Sequence, residues 1–192
     1  MLYNETPKHR DMFINSIKKG VYRYAQFNRV IKSFVNQAGE LDDSILKMEK
    51  LHPEIPPSRL AAEIKPHLFH KKGALGAGRD DNPEKGSYFN QIYLIEGSIQ
   101  TDEQLDLIEQ KKRIKFSEAQ RMIYKSVGGT PYLDGDYTIF GEIIEGMAVA
   151  EAINSVATNK NDLPLEPVVF NAVVLSKKEA VRLQKKINYE RR

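Results

Sequence analysis

The sequence predicts a mainly β fold, an antiparallel sheet or closed barrel decorated by helices. Three observations carry this. Extended segments recur without the strand-helix-strand alternation of a parallel sheet. The helices between them are short and marked by caps. The chain has 192 residues, 41% of them hydrophobic, enough for one cored domain with appendages but not for two large ones.

The elements follow in order. Thr6-Pro7 starts a helix, with a side-chain oxygen to cap an orphan N–H and proline at the first helical position. It is expected to run to Lys19, with Phe13 and Ile17 on one face and Gly20 as the stop. Val21 to Phe34 is rich in aromatic and β-branched residues and reads as strand, with Phe27, Arg29 and Ile31 alternating onto one face. Glu40 to Phe69 is loop-like, interrupted by Pro53, Pro56, Pro57 and Pro66, with one short apolar-periodic segment around Leu46. So long an excursion is either functional or a peripheral flap.

Gly73 to Gly78 is β-compatible, and Tyr88 to Ile95 is a strand with Phe89, Gln91, Tyr93 and Ile95 on one face. Two capping boxes, Thr101-x-x-Gln104 and Ser117-x-x-Gln120, then open two helices. Their apolar faces are read as Leu105, Leu107 and Ile108, and as Met122, Ile123 and Val127. Gly128-Gly129 closes the block. Leu133-Asp134-Gly135-Asp136 turns the chain into Tyr137 to Phe140, a helix follows near Met147 to Val156, and Val168 to Leu175 is the last strand. Ser176-x-x-Glu179 caps a terminal basic helix.

Composition narrows the chemistry. No run approaches the ~20 apolar residues of a spanning helix. With no cysteine there is no disulfide, thiolate metal site or cysteine nucleophile. The net charge of +3 is uneven: residues 176–192 carry seven basic and two acidic side chains, a surplus of +5, which leaves the rest at −2. A body without excess positive charge does not track phosphates, so nucleic acid or anionic membrane would have to be met by the tail alone, and the tail also reads as a solvated helix. The N-terminus shows neither a basic nor an apolar targeting region, which leaves the compartment undefined: the cytoplasm by default, or the envelope if a leader has been lost.

Candidate sites fall away one by one. His67 and His70 are spaced as two ligands could be, but no acidic or sulfur partner stands at a recognised distance along the chain, so no metal site is expected. Gly73, Gly76 and Gly78 precede no helix with a lysine in phosphate-loop spacing, and no Gly-x-Ser-x-Gly elbow appears. What remains is Arg29, an arginine among Phe27, Val30, Ile31, Phe34 and Val35. A permanent charge there either engages something polar or snorkels to water from a sheet edge. Periodicity alone leaves both open.

A set of motifs decides between them. Leu2-Tyr3-Asn4-Glu5-Thr6-Pro7-Lys8-His9-Arg10, Phe27-Asn28-Arg29-Val30-Ile31 with Phe34, Gln37 and Gly39, Gly73-Ala74-Leu75, Leu133-Asp134-Gly135, Phe140-Gly141-Glu142 and Glu145-Gly146-Met147 together resemble the cyclophilin-type peptidyl-prolyl isomerases. The resemblance covers the chain to about Leu175. It implies a domain over 1–175 with a helical insertion at about 101–129, followed by a basic tail at 176–192. The fold implied is an eight-stranded antiparallel barrel closed by helices. It further implies Arg29 as the catalytic residue, with Phe34, Val35, Tyr93, Tyr132, Leu133 and Tyr137 around a proline pocket and Gln37 and Gln91 bonding substrate backbone. No cofactor is implied, and the partners are proline-containing peptides or unfolded chains.

Several positions depart from the family's usual residues. Tyr93 stands for phenylalanine, Tyr132 for tryptophan, Tyr137 for histidine, Val35 for methionine, Ala38 for a glycine and Asn28 for a histidine. Phe89-Asn90 replaces a Gly-Ser pair, and Arg79 an asparagine or alanine. A truncated barrel, together with crowding of the groove by Phe89, Asn90 and Arg79, would favour an alternative, a weak or inactive proline-peptide-binding, chaperone-like module. The match begins inside what the family uses as its second strand. An exposed barrel edge, and with it a weakened or dimeric barrel, is therefore a further expectation.

Overall fold

The computed structural model describes residues 1 and 4–190; Leu2 and Tyr3, which open the motif match, and Arg191 and Arg192 of the tail lie outside the described residues. In chain order the elements are α1 (Pro7–Lys18), β1 (Ala25–Ile31), β2 (Val35–Gly39), α2 (Asp42–Leu51), β3 (Ala74–Ala77), β4 (Gln91–Ile95), α3 (Asp102–Lys112), α4 (Glu118–Ser126), β5 (Ile139–Glu142), α5 (Met147–Asn154), β6 (Val168–Phe170) and α6 (Lys177–Glu190). The strands form one antiparallel sheet in the order β5-β3-β4-β2-β1-β6. Among the described residues no helix is long and apolar enough to cross a membrane.

Among the described residues the expected eight-stranded closed barrel is corrected to a six-stranded sheet that does not close, with β5 and β6 at its margins. Aromatic rings span the gap instead. Phe140 of β5 meets Phe13 of α1 at 5.4 Å, Phe13 meets Tyr22 at 5.2 Å, and Tyr22 meets Phe170 of β6 at 6.2 Å. These rings join Phe27, Val30, Ala38, Ala77 and Ile92 in the larger core, against which Ile17 of α1 and Ile153 of α5 also pack. A second core of Val35, Ala74, Tyr93, Ile95, Leu133 and Ile139 holds Phe34, Leu68 and Tyr137 at its margin.

The expected face of β1 is also corrected. A bulge between Phe27 and Arg29 pairs Phe27 with Ala38 and Arg29 with Gln37, so the intervening Asn28 is the extra residue. Phe27 and Val30 therefore both enter the larger core, while Arg29 is only partly covered. Strand starts and ends move for local reasons. Gly20 (φ 79°) and Tyr24 (φ 55°) keep 21–24 in turns, so β1 begins at Ala25. Beyond Phe170 a backbone bond from Ala172 N–H to Tyr22 O (3.1 Å) replaces the ladder expected to reach Leu175. Ahead of β4, Tyr88 keeps one bond to Gly78 and no strand.

Both capping boxes of the helical block form as read, at Thr101 with Gln104 and at Ser117 with Gln120. Its apolar faces differ from the reading. The buried residues are Leu105, Phe116 and Tyr124, whereas Leu107, Met122 and Val127 are exposed, because each short helix buries a single line of residues. The tail helix has the expected reciprocal cap at Ser176 and Glu179. It touches the body through buried Ile187 and a Lys186–Glu145 ion pair, and most of its cations remain in solvent.

Thr6 does not cap α1 with its side chain, which is a further correction. Glu63, arriving from the 40–69 excursion, accepts the N–H groups of Lys8 (3.1 Å) and His9 (2.9 Å), and a carboxylate also suits the positive end of the helix. The same carboxylate meets His9 Nδ1 at 2.7 Å, while Nε2 lies 3.0 Å from Ser87 Oγ. His9 is fully buried, and desolvation, outweighing the pull of Glu63, holds its pKa below 6.5. Burial alone would raise the Glu63 pKa, but the hydrogen bonds from His9 and Lys8 bring it below 4.5.

In both groups the folded state resists protons that the unfolded chain accepts, so stability present above the unfolded pKa is lost on acidification. Melting temperature is expected to fall as pH drops below 6.5, where the unfolded histidine begins to protonate. His9→Gln should flatten that fall between pH 6.5 and the carboxylate range, as thermal melts across pH would show.

Candidate active site

Between β1, β2, β4 and the 3-10 turn Pro131–Leu133 lies a hollow of about 100 Å³. Arg29, Phe34, Val35, Gln37, Gly78, Arg79, Gln91, Tyr93, Leu133 and Tyr137 line it. That is several times the ~30 Å³ share of one water in the liquid, which gives room for a small ring. A larger hollow of about 720 Å³ lies between the end of α1 and residues 171–174. There the Asn171 carboxamide is engaged by Tyr24 N–H, and no apolar niche faces a polar pair, so we assign it no chemistry.

Each wall has a local cause. The bulge in β1 turns Arg29 out of the core, and the register then sets it beside Gln37 of β2, with Nη1 3.4 Å from Gln37 Oε1. Its Nε lies 3.7 Å from Asp162, in a pair of half-exposed side chains. Such a pair contributes ~0–1 kcal/mol, so Arg29 is aimed without being tied down. Phe34 sits in the β1–β2 turn, where Ser33 adopts φ 59°. Asn154 of α5 locks that turn: its Oδ1 accepts Ser33 N–H (2.8 Å), and its Nδ2 donates to Ile31 O (3.0 Å) and Asn36 Oδ1 (2.7 Å).

The floor depends on two missing side chains. A Cβ on Gly76 would lie 2.2 Å from the Tyr93 ring, and one on Gly78 would lie 1.7 Å from Gln91 Oε1. The glycines read as an unlikely phosphate loop are therefore the places where Tyr93 and Gln91 cross β3. Gln91 is almost fully buried and its Nε2 donates to Glu40 O (3.1 Å). The Tyr93 hydroxyl lies 2.9 Å from His70 Nε2, and desolvation raises its pKa well above the usual range, so the phenol stays neutral.

Every residue expected at the site faces the hollow except Tyr132, which is mostly exposed on the outer side of the 3-10 turn, beneath Lys112 Nζ at 5.5 Å from its ring. Of the three positions expected to crowd the groove, only Arg79 lines it. Its guanidinium donates to the carbonyls of Asp136 (2.7 Å) and Asn82 (3.1 Å) and stacks 5.0 Å from the centre of the Tyr137 ring. Asn90 is turned away toward Ser16, whose hydroxyl donates to it at 2.9 Å, and Phe89 is not in the lining. His67 pairs at the surface with Glu5, while His70 uses both ring nitrogens in buried bonds. Asn154 supports the walls without any signal in the sequence that marked it, while His70, read only as a possible metal ligand, and Asp134, read only as a turn and motif residue, join it in that role.

Fold and site together define a class: an antiparallel-sheet protein with an outer apolar niche for a small ring, flanked by a guanidinium and two carboxamides. The family model described as cyclophilin type peptidyl-prolyl cis-trans isomerase/CLD matches residues 1–174, and the chain belongs to that family. A relative in Staphylococcus saprophyticus, provisionally named a peptidyl-prolyl cis-trans isomerase, is 26% identical over 173 residues, covering 90% of this chain and 83% of the relative. Another with the same name in Staphylococcus haemolyticus is 27% identical over 167 residues, covering 87% and 79%. Among solved structures, a Cryptosporidium parvum cyclophilin type peptidyl-prolyl cis-trans isomerase, crystallised in the presence of the dipeptide Ala-Pro, superposes with a TM-score of 0.62 at 17% identity. It covers 92% of this chain and 89% of its own, which shows the shared fold.

Gly78→Ala is expected to push the Gln91 carboxamide out of the hollow. Peptide affinity measured by titration should drop by about tenfold, the scale of one lost hydrogen-bonding anchor, while the melting temperature changes little.

Proposed function

We propose that the chain catalyses cis-trans isomerisation of Xaa-Pro bonds in peptides and unfolded chains, with the proline ring in the niche of Phe34, Val35, Tyr93 and Leu133 and with Tyr137 on its wall. In this reading Gln37 and Gln91 hold the flanking backbone, and Arg29 donates toward the prolyl nitrogen. One observation carries it: a guanidinium with only a 3.4 Å bond and a half-exposed 3.7 Å ion pair stands at the lip of an apolar hollow. The Ala-Pro dipeptide with which the Cryptosporidium relative was crystallised is the kind of ligand the niche would take.

The chemistry asks for little else. The partial double bond sets a barrier of ~18–20 kcal/mol, and the uncatalysed turn takes about tens to hundreds of seconds. An N–H donor at the prolyl nitrogen favours a pyramidal centre whose lone pair no longer feeds the carbonyl. The niche holds the ring while the preceding group rotates, which converts a loose encounter into an oriented one. No bond is made or broken and no proton is moved, so the site needs neither nucleophile nor general base. The reading of an inactive binder rested on a truncated barrel and on a crowded groove; with Asn90 turned away and Phe89 outside the lining, the crowding is reduced to Arg79.

Arg29→Ala should lower kcat/KM in a protease-coupled proline-isomerisation assay by ~10²–10³, the usual effect of removing one preorganised donor. Melting temperature should change little, since its exposed ion pair contributes ~0–1 kcal/mol. Unchanged activity would remove Arg29 from the mechanism.

A further inference from the structure

The helical block of α3 and α4 has its own small core of Leu105, Phe116 and Tyr124. Tyr124 also leaves that core by one atom. Its hydroxyl, on a fully buried side chain, donates to Asp134 Oδ2 at 2.5 Å. Asp134 Oδ1 accepts the backbone N–H of His70 (2.8 Å) and lies 2.6 Å from His70 Nδ1, and His70 Nε2 lies 2.9 Å from the Tyr93 hydroxyl. Burial, with the nearby Asp134 charge, keeps both phenols protonated. Tyr124 O–H therefore donates to the carboxylate, which accepts from His70 Nδ1 as well, and the Tyr93 hydroxyl shares a hydrogen bond with Nε2. Four buried side chains, from Tyr124 through Asp134 and His70 to Tyr93, thus connect the helical block to the ring that floors the niche.

A second tie runs in parallel. Lys112, the last residue of α3, donates from Nζ to the carbonyls of Tyr132 (2.7 Å) and Asp134 (2.5 Å) and pairs with the Asp136 carboxylate (2.6 Å). These three residues bracket Leu133 and lead into Tyr137, both of which line the niche. Charge-assisted bonds of this kind are the strong ones, and three of them on one ammonium group fix the direction of the turn.

Resting on the isomerase reading of the niche, we propose that the block at 101–129 is a positioning element of the active site. Tyr124 fixes the Tyr93 ring through Asp134 and His70, and Lys112 fixes the turn that carries Leu133 and Tyr137. On this account tyrosine at 93 is needed because only its hydroxyl reaches His70. The block then acts on binding of the proline ring and leaves Arg29, on the other side of the niche, untouched.

Tyr124→Phe keeps the ring and deletes the link. It is expected to raise KM for an Xaa-Pro peptide by about five- to tenfold with kcat nearly unchanged, as when part of a charge-assisted bond is lost from a binding wall. It should also shift the methyl NMR signals of Leu133 and Val35 in the peptide-free protein. Arg121→Gln is the control: it breaks the ion pairs to Asp102, Asp106 and Glu109 in the same block but touches no member of the chain of bonds. Its KM and methyl signals should match the wild type even if it melts earlier. Should Tyr124→Phe fail to fold, Lys112→Gln reads the same coupling through the turn, with the same expectations. Unmoved methyls and unchanged KM in Tyr124→Phe would overturn the proposal, as would equal KM increases in Tyr124→Phe and Arg121→Gln. A wild-type chain without isomerase activity, whose Leu133 methyls still move in Tyr124→Phe, would instead overturn the isomerase reading and leave the positioning role standing.

Discussion

One extra residue in β1 is the constraint on which the site depends. In a regular strand Phe27 and Arg29 would share a face, and whichever side Phe27 needed, the guanidinium would follow into the core. Burying an unpaired charge costs far more than one aromatic ring gains on burial, so a regular strand would force Phe27 outward or Arg29 inward at a loss. The bulge at Asn28 removes the conflict: Phe27 and Val30 both fill the larger core, and Arg29 stands opposite Gln37 at the lip of the niche. Asn28 is anchored by donating to Gly39 O on the neighbouring strand. The outward placement of Arg29 and the packing of the core are therefore satisfied by the same irregularity.

A second trade sets the floor. The chain gives up side chains at Gly76 in β3 and at Gly78 just beyond it, and with them some strand stability, so that Tyr93 and Gln91 can lie across its backbone. A bare phenylalanine at 93 would be held by packing alone. The tyrosine adds a directed bond, and the cost of a buried hydroxyl is offset because His70 and Asp134 complete the set. The price of such a network is that every member must be present, which makes it rigid and intolerant of single losses.

Much of this was readable from residue order, and the reasons it stopped where it did are physical. Caps involve residues three apart, so the boxes at Thr101, Ser117 and Ser176 could be read locally and stand as read. The alternation along 88–95 placed Gln91, Tyr93 and Ile95 together because strand period is fixed by covalent geometry. The niche was reached through a family resemblance, and its residues, Tyr132 apart, do converge. What periodicity could not show was an insertion of one residue in β1, since a bulge has no composition of its own. Nor could it show contacts set by tertiary structure: Glu63 replacing Thr6 at the start of α1, Asn154 clamping the turn beneath Phe34, or Tyr124 buried where Met122 was expected. Each is made by a residue more than 50 positions away or by a helix choosing its buried line from its neighbours.

The open seam of the sheet tests how much closure the niche needs. Among the described residues, β5 and β6 have no ladder partner on their outer sides, and an unpaired edge weakens a sheet at its margins. The seam is bridged by side chains, Phe140 to Phe13 to Tyr22 to Phe170, and Phe13 comes from α1. Aromatic contacts of this type add ~0.5–1.5 kcal/mol each beyond the area they bury. The niche is built on β1, β2 and β4, in the middle of the sheet, and its outer wall is held by bonds to Asp134 and Lys112 that do not involve the seam. Opening at the seam would therefore loosen α1 and the larger core first, while the guanidinium, the two carboxamides and the Tyr93 floor stay registered to one another by the central ladders.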